Sequence, residues 1–166
     1  MPGTRSRRVC VLDAGPIIHL DEIGALDLLS HLGQLFIPES VAYEAEKHRP
    51  GVTAKLAPHI VEEVDTMSHR LTELVVLHEL DAGETAALAW VERFGADLFV
   101  SDDKAARAAA TDMRCESTGT LGVIVNAADD GVMSKADAIA LLQSVPLRST
   151  LFITPALLQK VIATLR

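Results

Sequence analysis

The sequence predicts an α/β fold built on a parallel sheet. Short apolar runs that are typical of buried strands alternate with segments of helical periodicity. The runs at 8–12 and 97–101 are each followed directly by acidic residues, and a helical segment comes next in both cases. In an open parallel sheet, ligands bind outside the carboxyl ends of the strands, so these acids are candidates for a common site.

The first half of the chain follows this alternation as far as residue 48. Pro16 lies where the first turn of a helix is expected, and Gly33 ends a second helical pattern. Residues 49–72 contain Pro50-Gly51 and Pro58, so they predict only a turn, some helix and a variable surface segment. The predicted elements are a strand at 8–12, a helix from Pro16, a helix from Leu26 to Gly33, a strand at 35–37 and a helix at 39–48.

The second half continues the alternation to the end of the chain, without an internal repeat or linker. We therefore expect one domain over residues 1–166, with a flexible basic arm at 1–7 and C-terminal helices at 134–166 packed on the domain. The predicted elements are a helix at 84–94, a strand at 97–101, a helix at 104–111, a strand at 114–117 and helices at 119–129, 135–143 and 155–165.

Composition limits the functions that the chain can have. A net charge of −8 argues against binding to DNA through a broad basic surface, although acids that bind divalent cations would still allow a nuclease. Neither a secretory signal nor a membrane span is evident, so we expect a cytoplasmic protein without membrane contact. Cys10 and Cys115 lie in apolar segments and are predicted to be reduced core residues.

Five acids carry the functional prediction, and four of them also have a structural explanation. Asp13 could stabilise a turn between strand and helix. Glu84 could form an acidic capping box with Asp81, and Asp102 or Asp103 could cap the next helix. The fifth acid, Glu44, lies inside a helix.

Helical phase favours a functional role for two of these acids. Glu44 shares a face with Val41 and Ala45, whereas Glu46 points the other way and is expected to be solvated. Glu84 lies on the predicted sheet-facing stripe of its helix, where no Lys or Arg is present to pair with it. A hard cation such as Mg²⁺ or Mn²⁺, or ordered water, is then the simplest partner. The six histidines follow no zinc spacing and are predicted to be surface or packing residues.

Motifs across nearly the whole chain resemble those of PIN domains, and most closely those of the prokaryotic branch related to VapC-type toxins. The ordered set is fairly specific, although each motif alone is weak. The motifs are Asp13-Ala14-Gly15-Pro16-Ile17-Ile18, Pro38 with Val41 and Glu44, Leu80-Asp81-Ala82-Gly83-Glu84, Ser101-Asp102-Asp103 with Arg107, Thr118-Gly119-Thr120-Leu121-Gly122, and the closing Pro155-Ala156-Leu157-Leu158.

The resemblance implies a three-layer α/β/α fold and a Mg²⁺- or Mn²⁺-dependent endoribonuclease. It implies catalytic roles for Asp13, Glu44, Glu84 and Asp102, with Glu44 reaching the metal through water. Asp103 is the alternative to Asp102, and Ser101 would match the family's threonine if Asp103 were the ligand. Ser101, Lys104, Arg107 and Thr120 are the expected contacts to RNA.

The leading hypothesis is a toxin ribonuclease restrained by a cognate antitoxin and active as a homodimer. The alternative is a PIN-type module that binds nucleic acid or a protein partner with little catalysis, since the fold alone does not decide function. A Rossmann-type nucleotide binder or a phosphatase is disfavoured because Asp13-Ala14-Gly15-Pro16 has neither a dinucleotide glycine pattern nor an Asp-x-Asp nucleophile motif.

Overall fold

The computed structural model describes residues 7–166, and five parallel strands form its central sheet. The spatial order is β3-β2-β1-β4-β5, so the first strand of the chain lies in the middle of the sheet. β1 pairs with β2 on one side, where Cys10 faces Leu35, and with β4 on the other, where Cys10 faces Leu98. The strands are β1 (Val9–Leu12), β2 (Gln34–Pro38), β3 (His59–Val61), β4 (Leu98–Val100) and β5 (Glu116–Thr118).

Helices cover both faces of the sheet, which gives the predicted three-layer α/β/α arrangement. Alternate residues of β1 enter two separate cores because side chains alternate between the faces of a strand. Cys10 and Leu12 pack with α1–α3 and α7–α9, and Val11 packs with α4–α6. The helices are α1 (Ala14–Glu22), α2 (Glu39–His48), α3 (Val52–Leu56), α4 (His69–Leu77), α5 (Ala82–Phe94), α6 (Lys104–Asp112), α7 (Thr120–Asp129), α8 (Lys135–Arg148) and α9 (Pro155–Ala163), with a 3-10 helix at Leu26–His31.

The elements differ from the sequence prediction in three places. The segment at 49–72 contains strand β3 as well as helix α3 and the start of α4. The second predicted helix is a 3-10 helix, and α8 continues through Pro146 to Arg148 instead of ending near residue 143. β3 has three residues and lies at the edge of the sheet, so its sequence carries too little alternation to predict a strand.

Several predictions outside the sheet can also be compared with the structure. Both cysteines are buried and free, as predicted. Of the predicted basic arm, only Arg7 lies inside the described range. Within residues 7–166, no helix has the length and apolar character needed to cross a membrane.

Candidate functional site at the carboxyl edge of the sheet

Asp13 follows the central strand β1 and is held by groups from two elements. Its backbone N–H donates to the carbonyl of Val100 at 2.9 Å, which places Asp13 beside the end of β4. Oδ1 accepts the N–H of Ala14 at 2.9 Å, and Oδ2 accepts the hydroxyl of Ser101 at 2.9 Å. Burial raises the pKa of Asp13 to about 6, and the nearby charges of Asp81 and Glu44 act in the same direction. Asp13 is therefore a buried acid whose negative charge is poorly compensated.

Glu84 lies in the first turn of α5 and forms a capping box with Asp81. Asp81 accepts the N–H of Glu84 at 2.8 Å, and Glu84 Oε2 accepts the N–H of Asp81 at 3.0 Å. Partial burial raises the pKa of Glu84 to about 7, and the charges of Asp81, Asp103 and Asp13 add to this rise. The capping box was expected, and it leaves Oε1 of Glu84 without a hydrogen bond among the contacts of residues 7–166.

Glu44 reaches the same region from α2, although its side chain is exposed where the helical phase predicted the buried face. A Cβ atom placed on Gly83 would lie 3.7 Å from Glu44 Oε2 and 3.5 Å from Asp81 Oδ1. Gly83 thus separates two carboxylates at the start of α5. Glu46, predicted to be solvated, is partly exposed and accepts the N–H groups of Gly51 and Thr53, each at 2.8 Å.

Asp102 contacts α1 and α7, and its carboxylate accepts three hydrogen bonds from them. Its carboxylate accepts Nδ1–H of His19, the N–H of Thr120 and the hydroxyl of Thr120, each at 2.6 Å. Burial alone would raise the pKa of Asp102, but the hydrogen bonds from His19 and Thr120 outweigh it and hold the pKa below its usual value. Asp102 therefore joins the ends of β4, α1 and α7.

Asp103 lies close enough to the start of α5 for its charge to act on Glu84. It is the N-cap of α6, where its Oδ1 accepts the N–H of Ala106 at 2.7 Å. Its own N–H donates to the hydroxyl of Ser101 at 3.1 Å, and that hydroxyl in turn donates to Asp13. Asp103 also contributes to the raised pKa of Glu84. We call the group of Asp13, Glu44, Asp81, Glu84 and Asp103 the acid cluster.

Two residues of this region were missed by sequence reasoning. Asp81 was interpreted only as a cap, although its position three residues before Glu84 already placed both carboxylates at one helix start. His19 was assigned to surface or packing, whereas it binds Asp102. No local spacing signals this contact, because the two residues lie in different elements; a Cβ on Gly15 would lie 3.6 Å from His19 and 3.5 Å from Asp102 Oδ2.

The four residues predicted to contact RNA occupy different environments. Ser101 and Thr120 are buried, and both donors of Thr120 are used by Asp102. Arg107 is half-buried and donates to the carbonyl of Ser101 at 2.8 Å, whereas Lys104 is exposed. Thr118 does not cap α7, since Gly119 is the N-cap and Asp102 accepts the N–H of Thr120.

The acid cluster offers the ligand atoms that a hard divalent cation prefers. Its side chains, however, do not converge as they would around a bound ion. Its members offer only carboxylate oxygens, which Mg²⁺ and Mn²⁺ prefer. Among residues 7–166, no three His, Cys, Asp or Glu side chains converge closely enough to form a metal-binding group. The raised pKa values of Asp13 and Glu84 indicate that a positive charge would be favourable beside these two carboxylates.

Comparison with known proteins identifies the family. Residues 9–166 match the family DUF3368, which is described as a PIN domain. The chain belongs to the PIN-domain family. This confirms the family resemblance that the motifs indicated, while membership of the VapC-like branch stays a prediction.

A solved structure shares the fold of this chain. The crystal structure of PAE2754 from Pyrobaculum aerophilum superimposes with a TM-score of 0.51 at 18% sequence identity, and the match covers 74% of this chain and 98% of that chain. No curated protein sequence matches the chain. PIN domains have a nuclease-type fold and typically use divalent metal ions, so the family agrees with the oxygen-donor chemistry of the acid cluster.

Proposed function

We propose that this PIN domain is a metal-dependent endoribonuclease whose active site is the acid cluster. The observation that carries the proposal is uncompensated negative charge at the carboxyl edge of the sheet. Two acids there have pKa values raised to about 6 and about 7. Among residues 7–166, no Lys, Arg or His forms an ion pair with either of them. A buried acid without a cationic partner favours a bound cation.

Asp13, Glu84 and Asp103 are the proposed ligands of Mg²⁺ or Mn²⁺, with Glu44 acting through a water molecule. Asp103 is supported over Asp102 because Asp103 interacts electrostatically with Glu84, whereas the oxygens of Asp102 are occupied by His19 and Thr120. The ion would lower the pKa of an attacking water and stabilise negative charge on the phosphoryl oxygens.

The remaining residues orient this site. Ser101 donates to Asp13 and accepts from Asp103, so it fixes two proposed ligands relative to each other. Arg107 fixes the backbone carbonyl of Ser101, and exposed Lys104, one turn earlier on α6, is the proposed contact to the phosphate backbone of RNA.

The assignment of the fourth ligand can be tested with two isosteric variants. Asp103→Asn retains an oxygen that caps α6 and should lose at least about 100-fold in RNA cleavage while the fold is kept. Asp102→Asn should instead lower the melting temperature, because one oxygen that accepts from His19 and Thr120 is replaced by a donor. Cleavage of single-stranded RNA is measured with Mg²⁺, Mn²⁺ or EDTA.

The outcomes separate the alternatives. Full activity of Asp103→Asn would refute its role as a ligand, and wild-type cleavage in EDTA would refute the metal mechanism. A wild-type protein that binds RNA or a protein partner but cleaves no RNA with either ion would favour the binding module.

We further propose that the ribonuclease is a cytoplasmic toxin restrained by an antitoxin and that it forms a homodimer. These proposals rest on the similarity of the motifs to the VapC-type branch. Expression should arrest growth, and Asp13→Asn should relieve the arrest. Growth that is unaffected by the active wild-type enzyme would refute the toxin role, and sedimentation of the purified protein as a monomer would refute the dimer.

A further inference from the structure

A groove of about 370 Å³ lies at the carboxyl end of β4, where Asp102 lines it and the next residue, Asp103, belongs to the acid cluster. One end is polar and is formed by Asp102, Arg107 and Gly119 at the carboxyl ends of β4 and β5. The other end is apolar and includes Phe152, Leu157 and Val161 from the last part of the chain. The groove therefore connects the carboxyl edge of the sheet with the C-terminal helices.

Phe152 is the most unusual residue of this groove. Its side chain is 88% exposed, and it stacks on no other aromatic ring among the described residues. Its neighbours Leu151 and Ile153 are partly buried against the core, so they fix the backbone on both sides of the exposed ring. The chain thus holds an aromatic ring at the groove while leaving its surface open to solvent.

The polar end of the groove adds a positive group close to the acid cluster. Arg107 donates one nitrogen to the carbonyl of Ser101, and the hydroxyl of Ser101 donates to Asp13. A strand running from the acid cluster into this groove would meet a guanidinium and an aromatic ring, since Arg107 and Phe152 both line it. Single-stranded nucleic acids are bound by this combination of a cation for the backbone and aromatic rings for the bases.

We propose that this groove, here called the base groove, binds one nucleobase of a single-stranded RNA by stacking on Phe152, beside the phosphodiester that is cleaved. The proposal rests on the ribonuclease function proposed above and specifies its substrate as an unpaired strand. The volume lies near the lower end of the range of about 300–1,000 Å³ that is typical of small-ligand sites. It suits a single base better than a partner helix.

Two consequences follow for substrate choice. Stacking is available to every base, so the base groove requires a base at this position but discriminates little between the four. A base inside a continuous duplex is already stacked and paired, so RNA double helices are excluded from the groove.

The experiment compares three variants on short single-stranded RNAs in which one nucleotide at a time is made abasic. Phe152→Leu keeps an apolar side chain without a ring, Phe152→Trp keeps a ring, and Leu147→Ala removes a side chain that is 86% exposed on α8 outside the groove. We expect Phe152→Leu to lower kcat/KM by about 5- to 100-fold, and Phe152→Trp and Leu147→Ala to retain wild-type values. For wild type, one abasic position near the cleaved bond should lower kcat/KM by a similar factor. Phe152→Leu should cause no additional loss on that abasic RNA.

The proposal is overturned if Phe152→Leu cleaves RNA as wild type does, or if Leu147→Ala lowers kcat/KM as much as Phe152→Leu does. It is also overturned if the losses in kcat/KM caused by Phe152→Leu and by the abasic position add. A change in sedimentation of Phe152→Leu without RNA, with cleavage unaltered, would instead identify the groove as a surface between protein chains. Binding of the same RNAs in the Asp13→Asn background separates the two proposals. If Phe152→Leu weakens RNA binding in the Asp13→Asn background and wild type cleaves no RNA, the base groove is supported and the ribonuclease function is refuted.

Discussion

Replacing Asp13 by Asn should stabilise the protein without metal while abolishing its proposed activity. Asn keeps the shape of the side chain and an oxygen for the N–H of Ala14, but it removes the negative charge that Asp81 and Glu44 oppose. The folded state raises the pKa of Asp13 from 3.8 to about 6, so it holds a proton that the unfolded chain has released. The stability contributed by this proton is complete below about pH 4 and is lost as the pH rises through 6.

The size of the effect follows from the pKa difference. A rise from 3.8 to about 6 corresponds to about 3 kcal/mol of folding free energy lost by wild type at pH 8 relative to pH 3. For a domain of this size, about 1 kcal/mol shifts the melting temperature by about 2–4 °C. The melting temperature of Asp13→Asn should therefore exceed that of wild type by about 6–12 °C at pH 8, and the difference should nearly vanish at pH 4.

Thermal unfolding is followed by circular dichroism from pH 4 to pH 8 in EDTA. Asp65→Asn, which removes an exposed carboxylate from the segment after β3, is the matched control and should not change with pH relative to wild type. Added Mg²⁺ should raise the melting temperature of wild type and leave Asp13→Asn unchanged. A difference in melting temperature between Asp13→Asn and wild type that does not change with pH would show that folding does not raise the pKa of Asp13.

Two further predictions concern packing. Gly119→Ala should destabilise the fold by about 1–3 kcal/mol in denaturant unfolding, since the new Cβ would lie 2.8 Å from Asp102 Oδ1. Gly83→Ala is the control, because the nearest contact of its Cβ is at 3.5 Å. Equal stability of the two variants would contradict the prediction. Cys10 and Cys115 should resist alkylation at pH 8 until the protein unfolds, because burial raises both thiol pKa values to about 11; rapid labelling of the native protein would refute their burial.

Local rules predicted much of this site correctly. The capping box of Asp81 and Glu84 and the N-cap role of Asp103 depend on residues three positions apart in one helix. The strands β1 and β4 were also predictable, because their apolar runs are fully enclosed and end in acids. In these cases the sequence contains both partners of the interaction within a few residues.

The interactions that were missed join distant elements. His19 and Asp102 are 83 positions apart, and their contact depends on how α1 packs against the end of β4. Helical phase placed Glu44 on the buried face of α2, but its side chain is exposed, and phase contains no information on where α5 begins. The choice between Asp102 and Asp103 likewise depends on the positions of α7 and α5, which no spacing along the chain specifies.

The central position of β1 affects how the protein emerges from the ribosome. Asp13 is among the first described residues to be synthesised, but its partners Val100 and Ser101 follow almost ninety positions later. Until then, β1 can pair with β2 on one side while its other edge stays open. Such long-range pairing slows folding, since a large loop must close before its contacts form. A nascent chain that ends before β4 would therefore contain Asp13 and Glu44 but could not hold them in a working site, which delays any nuclease activity until most of the chain has been made.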